Sequence, residues 1–181
     1  MNIIECDIPG PLILEPSVFG DERGFFLESW NARAFADAGL DLTFVQDNHS
    51  RSQAGVLRGL HYQNPNSQGK LVRVTAGAVF DVAVDMRRSS PSFGRWAGVT
   101  LTAENKRMFW VPEGFAHGFL VLEDGTDFLY KCTQLYAREH EHTLAWDDPD
   151  VGIDWPLAGI VPQLSAKDQI GKSLAEAETF A

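Results

Sequence analysis

From Leu71 to Val84 apolar residues alternate with polar or small ones, Val72 and Val74 in one run and Phe80, Val82 and Val84 in the next, with Gly77 between them. Alternation with a period of two is the mark of a half-buried strand, so this stretch predicts a two-stranded hairpin. The same pattern recurs in short pieces along most of the chain. Residues 1–18 hold short apolar runs broken by Pro9, Pro11 and Pro16. That suits edge strands, because proline has no N–H to give to a ladder. Gly20-Asp21 and Gly24 mark a turn before the aromatic run Phe25 to Trp30. Trp96 to Leu101, Phe109 to Val111 and the TLAWDD stretch read as further strands. Phe119 to Leu122 and Phe128 to Leu135 read as another pair, joined by the turn Glu123-Asp124-Gly125.

Only two stretches read as helical. Asn31 to Ala38 is a short helix with Asn31 as its N-cap and Gly39 as its stop. LSAKD at 164–168 opens a final helical stretch ending in SLAEAETF, and Ser165 with Asp168 fits a capping box there. Many short strands, Gly and Pro turns and two short helices predict an all-β sandwich or barrel, built as one domain over residues 1–181.

Composition narrows the class. The 181 residues are 44% hydrophobic and 22% charged, which suits a globular protein with a sizeable core. No stretch approaches the roughly eighteen apolar residues of a membrane span, and MNIIECDIPGPL lacks the basic-then-apolar order of a signal peptide. The expectation is a cytoplasmic protein that does not engage membranes. Cys6 and Cys132 stand alone, without ligand spacing, as reduced structural thiols do. With 25 acids against 15 lysines and arginines, a net charge of −10 argues against a nucleic-acid partner. Any phosphorylated ligand needs a local set of cations.

Against that deficit Gly55 to Lys70 stands out, for it holds Arg58, His61 and Lys70. On a regular strand from Val56 to Gln63, Arg58 shares one face with Leu60 and Tyr62, while His61 shares the other with Leu57, Gly59 and Gln63. Both reach one cavity only if the pleat is broken, and Gly59 between them permits a bulge. A lone histidine on such a strand is more often a packed one; the neighbouring cations favour a site. Other candidates are weaker singly. Arg23 and Glu28, taken alone, read more simply as a surface turn with a solvated acid. Gln46 and Asn48, two apart, share a face and suit sugar hydroxyls or base edges, or else a loop of turn-formers. Tyr130, Cys132, Gln134 and Tyr136 share a strand face, as barrel lining with phenols at the rim. His117 follows the Pro-x-Gly turn of PEGFAHG. Asp81, opposite Phe80 and Val82, either orients an inward cation or faces solvent, and solvent is the simpler expectation.

In series, FGDERGFFLESWN, FVQDNHS, LRGLHYQ, QGKLVRV, GAVFDVAVD, AENKRMFWVPEGFAHGF, FLYKCT and LSAKD resemble the dTDP-4-dehydrorhamnose 3,5-epimerase family over nearly the whole chain. The resemblance implies a cupin-like jelly-roll barrel with a few short peripheral helices, a homodimer, and no metal or organic cofactor. It implies inversion of C3 and C5 of dTDP-4-dehydro-6-deoxy-D-glucose, on the route to rhamnose for cell-surface polysaccharide. By position it implies His61 as general base, Tyr130 as the acid on the opposite face of the sugar, Asp168 as the group that orients His61, and Lys70 facing the developing enolate. Arg23, Glu28, Gln46, Asn48, Arg58, Lys70, His117, Tyr136, Glu141 and Lys167 are implied substrate contacts. Leu135 departs from the family pattern, in which many members carry a second tyrosine beside the one at Tyr136.

Two readings from other classes compete. Gly55 to His61 and Pro112 to His117 match the G-x₅-H and P-x-G-x-x-H segments of metal-dependent cupins, but Gln63 stands where a second histidine ligand belongs. A non-catalytic nucleotide-sugar-binding barrel accounts for amides and cations, though not for a base, a phenol and an orienting acid together. A sister enzyme acting at C3 or C5 alone, or a ketoisomerase on the same fold, is not separated from the 3,5-epimerase by these motifs.

Overall fold

In the computed structural model, which describes residues 1–181, the predicted Leu71–Val84 hairpin is two strands that do not pair with each other. In chain order the elements are β1 Asn2–Glu5, β2 Leu12–Glu15, β3 Val18–Asp21, β4 Gly24–Leu27, α1 Ala32–Asp37, β5 Gln46–Ser52, β6 Leu57–Gln63 and β7 Lys70–Ala76. They continue with β8 Ala78–Asp85, β9 Trp96–Thr102, β10 Met108–Val111, β11 Phe115–Val121, β12 Thr126–Cys132 and β13 Glu141–Thr143. One sheet runs β1-β2-β10-β7-β12-β5 and the other β13-β6-β11-β8-β9, with all paired strands antiparallel. β3 and β4 form a separate hairpin.

The chain passes from one sheet to the other at Gly77, so β7 and β8 face each other across the core. Gly77 has φ +74°, and a Cβ there would fall 2.2 Å from Thr126 Oγ1. The predicted pair of Phe119 and Phe128 strands likewise divides between the sheets, as β11 and β12. Two facing antiparallel sheets linked by such crossings make an all-β, cupin-like jelly roll.

Between the sheets lies a cluster that includes Val72, Val74, Val79, Ala83, Phe109, Phe115, Phe119 and Phe128. Phe119 and Phe128 stack with centroids 4.0 Å apart. Burying each such side chain contributes about 1.5–3 kcal/mol. β8 is apolar on both faces because both are covered: Val79 and Ala83 enter this cluster, whereas Val82 and Val84 join a second one on the outside of the five-stranded sheet. Asp81 therefore lies on the inner face with no exposed surface, which corrects the expectation that it meets solvent.

The outer cluster is closed by the C-terminal segment through Trp146, Trp155, Leu164, Leu174, Ala177 and Phe180. The predicted final helix is not there; only Asp168–Ile170 forms a 3₁₀ turn. The segment instead gives its backbone groups to sheet edges, Lys172 N–H to Thr143 O at 2.9 Å and Phe180 N–H to Met86 O at 2.9 Å. Edge hydrogen bonds plus apolar docking outcompete helix propensity here. The Asn31-capped helix does form, its Asn31 side chain accepting from Ala34 N–H at 3.2 Å. No helix is long and apolar enough to cross a membrane.

Candidate active site

The site is built around a bulge in β6. Against β11, His61 pairs with His117 and Arg58 with Phe119, so Gly59 and Leu60 of β6 stand opposite Gly118 alone. That extra residue flips the pleat, and both Arg58 and His61 line one cavity of about 490 Å³. Glycine is required at position 59, with φ +125° and a Cβ position only 2.5 Å from Gly118 Cα.

His61 Nε2 lies 2.6 Å from Asp168 Oδ1. Burial works to raise the Asp168 carboxyl, but hydrogen bonds from His61 and Ser165 and from Gly59 N–H hold it down at about 2. The carboxylate is thus an acceptor, Nε2 carries the proton, and Nδ1 keeps the free lone pair. Burial also lowers the pKa of His61 itself; Asp168 opposes this, while Lys167 and Lys70 add to it. The ring is therefore neutral near pH 7. Ser165 Oγ donates to Asp168 Oδ2 at 2.6 Å, and Asp168 N–H reaches back to Ser165 Oγ at 3.4 Å. The predicted capping pair exists, then, and leaves the other carboxylate oxygen for His61.

The facing sheet supplies Tyr130 from β12 and Lys70 from β7, on neighbouring strands. Burial pushes the Tyr130 phenol up to about 12, so it stays protonated. Lys70 is buried, and its ammonium makes one long contact, 3.4 Å to His61 O. Burial pulls its pKa down. Arg58 is held by Ser52 Oγ at 3.0 Å, and Gln46 Nε2 donates to Asn48 Oδ1 at 3.0 Å. At the floor His117 Nε2 meets Asp81 Oδ1 at 2.9 Å. At the rim Glu141 accepts from Lys167 at 2.6 Å and from the Tyr136 hydroxyl at 3.0 Å.

Eleven predicted residues thus converge: Gln46, Asn48, Arg58, His61, Lys70, His117, Tyr130, Tyr136, Glu141, Lys167 and Asp168. Arg23 and Glu28 do not reach the cavity of their own chain. Arg23 sits in the β3–β4 turn, paired with Asp21, and Glu28 accepts from Asn31 Nδ2 at 3.1 Å. Leu135 is exposed and does not line the cavity, and its carbonyl accepts from Gln63.

Gln63, which stands where a metal-dependent cupin has a ligand, has a structural task instead. Its buried amide donates to Asn66 O at 2.8 Å and accepts from Ala137 N–H at 2.9 Å, so it fixes the backbone beside Tyr136. No three His, Cys, Asp or Glu side chains are grouped as metal ligands. Ser52 carries no signal in the sequence, whereas Asp81, for which solvent is the simpler expectation, points inward because it shares its strand face with the core residues Val79 and Ala83.

A neutral imidazole with an ionised partner, a protonated phenol on the facing sheet and a buried lysine give this jelly-roll cavity groups able to accept and donate protons. A profile of the dTDP-4-dehydrorhamnose 3,5-epimerase family matches residues 5–176. The dTDP-4-dehydrorhamnose 3,5-epimerase of Pseudomonas aeruginosa is 60% identical over 99% of both chains. A Legionella pneumophila dTDP-6-deoxy-D-glucose-3,5-epimerase, solved with dTDP-4-keto-L-rhamnose, is 56% identical with a TM-score of 0.94, covering 98% of this chain and 94% of that one. A 3'-monoepimerase from Streptomyces bikiniensis, solved with dTDP-quinovose, is 38% identical with a TM-score of 0.88, covering 93% and 86%. The chain belongs to the dTDP-4-dehydrorhamnose 3,5-epimerase family and is an isomerase.

Proposed function

We propose that this protein inverts C3 and C5 of dTDP-4-dehydro-6-deoxy-D-glucose, giving dTDP-4-dehydro-L-rhamnose through enolate intermediates. One observation carries the assignment of roles: His61 and Tyr130 project from opposite sheets into the same cavity. Both hydrogens to be removed are α to the C4 ketone, and in a glucose-derived chair both are axial on one face. A single base beneath the ring therefore serves both carbons. Nδ1 of His61 takes the proton, and Asp168 stabilises the imidazolium that results. General-base catalysis of this kind supplies about 10²–10⁴-fold. Lys70 faces O4, where an oriented cation in a dry site contributes about 2.7–4 kcal/mol as charge develops. Tyr130 returns a proton from the other face, which completes inversion.

Arg58 and Lys167 supply local positive charge for the diphosphate, which the acidic chain otherwise lacks. Gln46, Asn48 and His117 contact the sugar, and Tyr136 and Glu141 hold the nucleotide end at the rim. Arg23 and Glu28 join the set in a homodimer. The β3–β4 hairpin exposes Phe19, Phe25 and Phe26 by 65, 61 and 65%, a patch that suits burial against a second copy. A two-stranded hairpin is marginal alone, so this one gains from such docking. Cys6 and Cys132 are both free thiols, which suits action in the cytoplasm.

The likeness to a 3'-monoepimerase supports a second reading, inversion at C3 alone. Incubation with dTDP-4-dehydro-6-deoxy-D-glucose in D₂O, followed by NMR of C3 and C5, separates the two. Deuterium with inversion at both carbons is expected; inversion at one alone establishes the monoepimerase, and no exchange at either removes the proposed function.

A further inference from the structure

Asp81 is fully buried on the inner face of β8, and its Oδ2 is the one buried side-chain oxygen or nitrogen that lacks a hydrogen-bond partner. An unpaired carboxylate oxygen in an apolar core is costly to keep and calls for an explanation. His117 accounts for only half of the group, through Oδ1 at 2.9 Å. The other buried charged side chain here is Lys70, which lines the same cavity as the His117 that Asp81 holds. Burial raises the Asp81 carboxyl, and His117 first and Lys70 after it pull it back towards the ionised form, without a direct contact between Asp81 and Lys70.

We propose that Asp81 is a positioning residue for Lys70: His117 anchors the carboxylate by one oxygen, and the free oxygen is the counter-charge that keeps Lys70 an ammonium ion directed at the cavity. The inference rests on the enolate-stabilising role given to Lys70 above. The alternatives around Lys70 are engaged elsewhere. Glu141 already accepts from Lys167 at 2.6 Å and from Tyr136 at 3.0 Å. Cys132 is a thiol contacted by Asn48 Nδ2 at 3.6 Å. Lys167 and the ring of His61 bring no negative charge. Asp81 alone offers a buried carboxylate oxygen without another partner. A lysine buried as deeply as Lys70 tends to lose its proton, and a neutral amine cannot stabilise an enolate by charge.

The sign of the consequence is fixed. Activity that needs the ammonium disappears as pH rises through the pKa of Lys70. Burial already sets that pKa below the usual 10.5; Cys132, Asp81 and Glu141 oppose the fall, and of these Asp81 is the carboxylate with an oxygen free of other partners. Asp81→Asn keeps the volume and an acceptor for His117 but deletes the charge.

The test compares pH profiles of kcat for the wild type, Asp81→Asn, Lys70→Ala and the double variant. In folded Asp81→Asn the alkaline limb should move down by about one pH unit or more. KM should stay within about threefold, and the substitution should cost nothing further in the Lys70→Ala background, as expected of groups acting through one another. An unmoved alkaline limb, or an equal loss in the Lys70→Ala background, overturns the inference and leaves Asp81 a purely structural partner of His117. If Lys70→Ala retains kcat, the role of Lys70 fails first and takes this inference with it. Should Asp81→Asn not fold, the wild type enriched with ¹³Cε-lysine, with Lys70 assigned from Lys70→Arg, provides the answer. Titration of Lys70 above pH 8 agrees with a nearby counter-charge, and titration below pH 7 contradicts it.

Discussion

Asp168 Oδ1 accepts a 2.6 Å hydrogen bond from His61 Nε2, although 107 residues separate the two in the chain. The contact exists because the C-terminal segment docks along the outside of the five-stranded sheet and turns in at Ser165, where the cap fixes the second carboxylate oxygen. One strand thus carries the base, and a segment folded over its back sets the base's tautomer.

Asp168→Asn should lower kcat about 10- to 100-fold with KM changed only a few-fold, since the cationic groups stay in place. The pH dependence follows from the sign of the coupling. Burial lowers the His61 pKa and Asp168 opposes that, so a neutral replacement of Asp168 should move the acid limb of kcat to lower pH. A pH profile checks both effects. Asn caps the turn about as well as Asp, so an unchanged kcat would reduce Asp168 to its capping role.

Lys70→Ala should lose kcat by about 10²–10³-fold, because its partner gains full charge only on the way to the enolate. Steady-state kinetics decide this. A raised KM at constant kcat would move Lys70 to the diphosphate.

Arg23→Ala should raise KM while leaving kcat nearly unchanged, and Phe19, Phe25 and Phe26 replaced together by Ser should shift the protein towards monomer and lose substrate affinity. Sedimentation velocity and kinetics on the same samples test the link. A monomeric wild type would remove Arg23 and Glu28 from the site, because neither reaches the cavity of its own chain.

Gly59→Ala should cost about 2–4 kcal/mol in a thermal melt, through the strained φ and the collision with Gly118 Cα. The bulge brings Arg58 and His61 to one cavity, so any folded fraction should show weakened catalysis as well.

Most strand positions were legible in the sequence, though the TLAWDD stretch is not a strand beyond Thr143 and β13 begins in the polar Glu141-His142 before it; strand partners were not legible. Alternation reports which face of a strand is buried, yet it carries nothing about which sheet the strand joins, so Leu71–Val84 read as a hairpin when Gly77 turns it from one sheet to the other. The final helix failed for a related reason. SLAEAETF has good helix formers, but Leu174, Ala177 and Phe180 meet a ready apolar surface, and the backbone finds sheet edges to bond. The bulge at Gly59 was foreseeable because two polar residues on opposite faces needed a common cavity. The direction of Asp81 was not, because an acid flanked by valines and alanines more often marks a solvated face than a buried counter-ion. Arg23 and Glu28 were picked out by resemblance, and the fold of a single chain keeps them away from the cavity.

The central claim, a base on one face of the sugar and an acid on the other, is tested most directly by deuterium exchange in His61→Ala and Tyr130→Phe. His61→Ala should abolish both deuterium wash-in and inversion, because no enolate forms. Tyr130→Phe keeps His61, Asp168 and Lys70, so protons should still leave and return from the His61 side. It should show residual deuterium incorporation at C3 or C5 with retained configuration, and inversion depressed far more than exchange. Loss of one hydroxyl from a half-buried side chain costs little stability, which a melt verifies beforehand. Equal loss of exchange and inversion in folded Tyr130→Phe would contradict the two-face assignment and make Tyr130 an enolate stabiliser or substrate clamp.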